Sequence, residues 1–156
     1  MTRPNLALDS NLVLLFAVGR AERGLVTVHK RLRPYSEADY ELLQGFLAVT
    51  EKVTTTPNIM TEVSNIASFG IVEPALSRIN SSVKGLAAAF DETYKPSGEL
   101  TVLPEFDRLG LADCPLLAIL DHRTRLLTAD TLLYLAALDR GFEAINFDDA
   151  RRFRNS

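Results

Sequence analysis

The stretch Asn5-Leu6-Ala7-Leu8-Asp9-Ser10-Asn11, running on into Leu12-Val13-Leu14-Leu15-Phe16-Ala17-Val18-Gly19, decides how this chain is read. A short uncharged, mostly apolar run that ends in an acid suits a central strand of a parallel sheet, covered on both faces. Asp9, Ser10 and Asn11 then offer side-chain oxygens for the free amides at a helix start. The apolar run Leu12 to Val18 supplies that helix, with Gly19 as its expected end. Strand, polar turn and helix in this order form the first unit of an α/β fold. Open parallel sheets bind ligands beyond the carboxyl ends of their strands, and Asp9 stands at such an end.

Outward from this unit the alternation repeats. Ser36-Glu37-Ala38-Asp39 opens a helix to about Glu51, with Tyr40, Leu43, Phe46 and Leu47 on one face. Val53 to Thr56 reads as a strand, followed by a helix capped by Thr56 and started by Pro57. Glu73-Pro74 begins a helix expected to reach Thr93, Lys95-Pro96-Ser97-Gly98 is a turn, and Leu100 to Leu103 is a further strand candidate. Leu111 to Leu120 is an apolar helix, which tolerates Pro115 only in its first turn. Arg125 to Thr128 and Ala144 to Phe147 are strands around a helix from Thr131 to Arg140. The expected fold is α/β, a central mostly parallel sheet flanked by helices on both faces. It occupies one domain over residues 1–150, with a short basic tail over 151–156.

Composition narrows the class. The chain has 156 residues, 47% of them hydrophobic, enough for one core and too many for a disordered chain. A lone Cys114 cannot form an internal disulfide. The longest apolar run is too short for a membrane span, and no signal-peptide pattern opens the chain, so a soluble cytoplasmic protein is expected. Seventeen Lys and Arg against 20 Asp and Glu give a net charge of −3, which by itself does not suggest a nucleic-acid binder.

Where the acids fall is more informative. Asp9 and Asp130 end strands, Glu62 lies inside the apolar helix after Pro57, and Asp113 precedes Cys114-Pro115-Leu116-Leu117. Carboxylates in apolar surroundings are costly unless paired or coordinated. Taken singly, each has a structural reading: Asp9 and Asp130 as helix caps, Asp113 as a partner for a helix dipole, Glu62 as a solvent-facing residue. Taken together they point to a cation site built from oxygen ligands, which suits Mg²⁺ or Mn²⁺ rather than zinc. Paired ions of this kind, about 3.5–4 Å apart, activate water and stabilise the leaving oxygen of a phosphodiester.

Four blocks in order carry a resemblance over nearly the whole chain: Leu8-Asp9-Ser10-Asn11-Leu12, Thr56-Pro57-Asn58-Ile59-Met60-Thr61-Glu62-Val63, Leu109-Gly110-Leu111-Ala112-Asp113 and Leu127-Thr128-Ala129-Asp130. In these blocks the chain resembles the PIN-domain family of metal-dependent nucleases. The resemblance implies that Asp9, Glu62, Asp113 and Asp130 form a metal-binding, catalytic quartet for Mg²⁺ or Mn²⁺, supported by Asn11 and Thr128. It implies a metal-dependent endoribonuclease acting on RNA, the toxin of a toxin–antitoxin pair with an antitoxin protein as partner, and a homodimer. The basic insert between Arg20 and Val53, and the long helix after Pro74, depart from compact toxins of the family.

Other features are weighed beside it. Arg20, Arg23, Lys30, Arg31 and Arg33, with Arg151, Arg152 and Arg154, form a candidate phosphate-contact set or a solvated surface. Asn146 and Asp148 stand near the rim or serve as turn and cap residues. His29 and His122 read as solvent or capping residues. The glycines at 19 and 24 lack the Lys-Ser/Thr of a phosphate-binding loop. A PIN-fold protein-binding module without strong cleavage is the alternative. A metal-dependent phosphatase is disfavoured, because Asn11 stands where that chemistry wants a second Asp.

Overall fold

The computed structural model describes residues 2–156. Five strands, β1 (Asn5–Leu8), β2 (Val53–Thr55), β3 (Asp91–Glu92), β4 (Thr124–Thr128) and β5 (Ala144–Asn146), form one sheet. All pairs are parallel, in the order β3-β2-β1-β4-β5. The helices are α1 (Ser10–Ala21), α2 (Glu37–Ala48), α3 (Pro57–Ala67), α4 (Ala75–Ala89), α5 (Ser97–Leu100), α6 (Phe106–Ala118), α7 (Thr131–Asp139) and α8 (Phe147–Arg154). Short 3₁₀ turns cover Arg23–Thr27 and Lys30–Leu32.

The chain builds outward from β1 to β2 and β3, then returns to lay β4 on the other side of β1. Right-handed crossovers therefore send the helices that follow β1 and β2 to one face and α7 to the other. Accordingly α1 packs on α2, α3 and α4, while α7 packs on β4, β5 and α6. Strand order reverses between β1 and β4, and the crevice at their carboxyl ends is where such sheets hold ligands. The expected α/β architecture is present, with every pair parallel. Strand β1 is buried throughout, and α1 buries Leu12, Val13, Leu14, Leu15, Ala17 and Val18. An apolar helix of that kind belongs in the middle of a layer, as here.

Several local expectations are corrected. Gly19 does not end α1, which continues to Ala21; a Cβ there would lie 2.3 Å from the Tyr40 ring, so glycine admits α2 to close range. The helix expected to reach Thr93 ends at Ala89, and Asp91–Glu92 pair with β2 as an edge strand. Its acidic residues are exposed and carry no apolar alternation, which is how edge strands are kept from further pairing. Leu100 to Leu103 is no strand: Leu100 ends the single turn α5 and is buried, whereas Val102 is exposed.

Helix α6 is broken at Gly110, whose φ of 71° and ψ of −173° are open only to glycine. Its second segment starts at Leu111, so Pro115 falls just beyond the first turn and costs the helix one hydrogen bond. Residues 151–154 belong to α8, so a boundary at 150 falls inside a helix. That helix is fixed by the buried Asp39, which accepts from Arg151 Nε at 3.0 Å and Arg154 Nη2 at 2.9 Å. Asp39 also closes the capping box of α2 with Ser36. Among the described residues no helix is long and apolar enough to cross a membrane.

Candidate metal centre

Asp9 follows β1 and caps α1: its Oδ1 accepts the Leu12 N–H at 2.9 Å. Because Leu8 lies opposite Leu127 in the sheet, the end of β4 arrives beside it. Asp9 Oδ2 accepts the Ala129 N–H at 3.0 Å and the Thr128 hydroxyl. Burial pushes the Asp9 carboxyl up; the Thr128, Leu12 and Ala129 hydrogen bonds oppose this and the charge of Asp130 adds to it, with a net upward result. Thr128 Oγ1 in turn accepts the Asp130 N–H at 2.9 Å, so one buried hydroxyl orients two of the acids. Asp130 caps α7 through Oδ1, which accepts the Leu133 N–H at 2.9 Å.

Glu62 comes to the same rim from α3 and is half-buried; Ser10 Oγ donates to its Oε2 at 2.9 Å. Asp113 comes from the opening turn of the second segment of α6, so the break at Gly110 sets where its carboxylate stands. Its carboxyl is pushed from an ordinary 3.8 to about 7, first by burial and then by the charges of Asp9, Asp130 and Glu62. The four acids, far apart in the chain, thus feel one another at the switch point. None of them has a Lys or Arg ion-pair partner among the described residues, whereas Asp39, Glu22, Glu41 and Glu105 all do.

The structural readings of single acids hold as well, since Asp9 and Asp130 are both helix caps. Among the described residues no group of three or more His, Cys, Asp or Glu is arranged to hold a metal ion as it stands. Protein donors already engage both oxygens of Asp9 and one each of Glu62 and Asp130. The donor set is all oxygen and carries uncompensated negative charge, which fits a hard divalent cation and would suit zinc poorly.

Thr128 joins the acids and Asn11 stays exposed on α1. Asn146 is the cap of α8, accepting the Asp148 N–H at 2.9 Å, and Asp148 pairs with Arg151 at 2.9 Å. Tyr35 was not legible as part of this region. Burial, then the charges of Asp9 and Asp148, push its phenol up, and the Arg151 guanidinium lies 5.0 Å from its ring centre. His29 is a buried cap: Nδ1 accepts the Arg31 N–H at 3.2 Å while Nε2 lies 2.9 Å from the Ala67 carbonyl.

The basic residues separate into two groups. Arg151, Arg152 and Arg154 pair with Asp39, Asp148 and Asp149, and Arg23 pairs with Glu41. Arg20, Lys30, Arg31 and Arg33 take no acid among the described residues, yet they do not form one patch. Arg20 sits about 16 Å along α1 from Asp9, at the pole away from the rim. Arg31 instead lines an open groove of about 520 Å³ that also takes in Glu62, Tyr94, Lys95, Leu111 and Ala112. Tyr94 and Lys95 follow β3; once that strand is missed, Lys95 reads as a plain turn residue and Tyr94 carries no signal. No family model, no curated protein and no solved structure matches this chain.

Proposed function

We propose that this chain is a divalent-metal-dependent endoribonuclease of the PIN-domain kind. One observation carries the reading: Asp9, Glu62, Asp113 and Asp130 share the β1/β4 switch point, the charges of the other three add to burial in raising the Asp113 carboxyl, and none takes a cationic side chain among the described residues. These four would hold Mg²⁺ or Mn²⁺. When bound, such an ion lowers the pKa of its water and stabilises the negative charge that develops on a phosphodiester. The chain's own contribution is preorganisation. Thr128 holds Asp9 and Asp130 in register, Ser10 holds Glu62, and the Gly110 break delivers Asp113. Burial and the neighbouring charges bring the Asp113 carboxyl to about 7, so it changes charge near neutrality.

The test is cleavage of a mixed RNA pool with Mg²⁺, Mn²⁺ or EDTA, by wild type, Asp9→Ala and Asp113→Asn. Cleavage that needs the ion and disappears in both variants is expected. Cleavage in EDTA, or unchanged cleavage by Asp113→Asn, overturns the assignment.

A second reading, as a protein-binding module, has its own observation. Leu132, Leu135 and Leu138 recur every third residue on α7 and are each 42–50% exposed. An antitoxin-type partner or a second copy would cover such a stripe. Charged substitution at Leu135, followed by light scattering of the purified chain and cleavage assay, separates the readings: loss of assembly with cleavage retained favours the enzyme.

A further inference from the structure

The groove beside Glu62 meets the carboxylate rim at that residue and carries cations that take no acid among the described residues. Its α3 face presents Asn58, Thr61, Glu62 and Asn65, which recur at helical spacing along one side. Arg31 and Lys95 also line it, and neither pairs with an acid among the described residues. Tyr94 lines it and is 69% exposed. Leu111 and Ala112, the residues just before Asp113, bring the groove up to the acids.

We propose that this groove is a subsite for single-stranded nucleic acid, leading the strand to the four carboxylates. Arg31 and Lys95 take phosphates, Tyr94 stacks on an unpaired base, and Asn58 and Asn65 meet base edges or sugar hydroxyls. The chemistry favours this ligand over others. A rim of four acids repels a polyanion, so a phosphate-bearing substrate needs cations next to the site, and these are the ones placed there. An open groove with one exposed aromatic face and two separated cations is too little enclosed for a small apolar ligand. Within a duplex the base faces are stacked away, and only a single strand offers one to Tyr94. Arg31 is held for this role from both sides: His29 caps its backbone, and its guanidinium lies 5.8 Å from the Phe69 ring centre.

The proposal rests on the nuclease reading only for the direction in which the strand is led. Binding is measured by fluorescence anisotropy in EDTA, using a labelled single-stranded RNA of about 12 nucleotides, its DNA counterpart and its duplex. Wild type is expected to prefer single strands, and the RNA and DNA arms report whether the sugar hydroxyl is read. Tyr94→Ala should weaken binding roughly tenfold. Arg31→Ala and Lys95→Ala should each weaken it and lower the slope of log affinity against log salt by about 0.7. Arg123→Ala, at the amino end of β4, should change nothing. Binding that ignores Tyr94 and Lys95, or that falls equally in the Arg123 control, overturns the groove. Cleavage by wild type in Mn²⁺ is scored separately. A chain that cuts RNA yet binds without the groove keeps the nuclease and loses the subsite; one that binds through the groove and cuts nothing does the reverse.

Discussion

Asp113→Asn isolates the electrostatic strain at the carboxylate rim. The substitution keeps the side chain's size and removes its charge. Burial and the three neighbouring carboxylates are what act on Asp113, and no hydrogen bond offsets them. Its carboxyl titrates at about 7 in the folded chain against an ordinary 3.8, so folding favours the protonated form. Between those values the folded state binds more protons than the unfolded state, and stability falls as pH rises. The favourable contribution is therefore fully present below 3.8 and gone above about 7. That interval corresponds to about 4 kcal/mol at 1.36 kcal/mol per pH unit. Asp113 is half-buried and water screens part of the repulsion, which leaves about 1–2 kcal/mol.

The asparagine variant, in EDTA near pH 7.5, should then melt about 2–8 °C above wild type. Near pH 4 the advantage should vanish, because the wild-type carboxyl is neutral there in the folded state. Thermal melts followed by circular dichroism at both pH values read this directly. With millimolar Mn²⁺ at neutral pH the order should reverse, since an ion that binds only the folded wild type raises its melting point. A variant less stable than wild type at pH 7.5 in EDTA, or one with the same advantage at both pH values, would refute the idea that burial and the neighbouring charges strain the Asp113 carboxylate.

Three further outcomes test the scaffold. Gly110→Ala forces a Cβ into a conformation reserved for glycine and should cost about 1–3 kcal/mol by thermal melt, with a weaker response to Mn²⁺ because Asp113 is displaced. Asp39→Ala leaves Arg151 and Arg154 without their shared, buried acceptor; a loss of about 3 kcal/mol, and faster amide exchange confined to α8 and the start of α2, are expected. Thr55→Val replaces a buried hydroxyl that has no hydrogen-bond partner with a methyl group, and should raise stability by about 1 kcal/mol in urea unfolding.

What was legible in the sequence was what neighbouring residues determine. The apolar run ending at Asp9, the Thr56-Pro57 start of α3 and the Gly141 stop after α7 each state their own local structure. So the positions of Asp9 and Asp130 at strand ends followed from local sequence alone. Features set by distant partners were not legible. The C-terminal arginines looked free until Asp39, more than a hundred residues earlier, took two of them. Gly19 looked like a helix end because nothing local announces the Tyr40 ring beside it. Strand β3 is two acidic residues long and exists only by pairing with β2. Missing it hid Tyr94 and Lys95, since their place at the rim depends on the strand that precedes them.

Helix capping and cation holding compete as explanations for Asp9 and Asp130 in the sequence; the fold shows the capping, and under the proposed function the same carboxylates would serve both. A capping carboxylate spends an oxygen on a helix amide and gains the positive end of the helix dipole. The N-termini of α1 and α7, and the start of the second segment of α6, all bring acids to the β1/β4 crevice. Their partial charges allow carboxylates to gather there without Lys or Arg. This compensation is incomplete: it holds the acids in place, yet Asp113 still titrates near neutrality. A salt-bridged site would already be satisfied and would have no call for an ion. A rim stabilised by helix ends and neutral hydroxyls keeps its geometry and retains a charge deficit, which is the condition under which a divalent cation would gain most from binding. Helix ends therefore account for where Asp9 and Asp130 stand, and under the proposed function a bound cation would relieve the burial and repulsion that remain at Asp113.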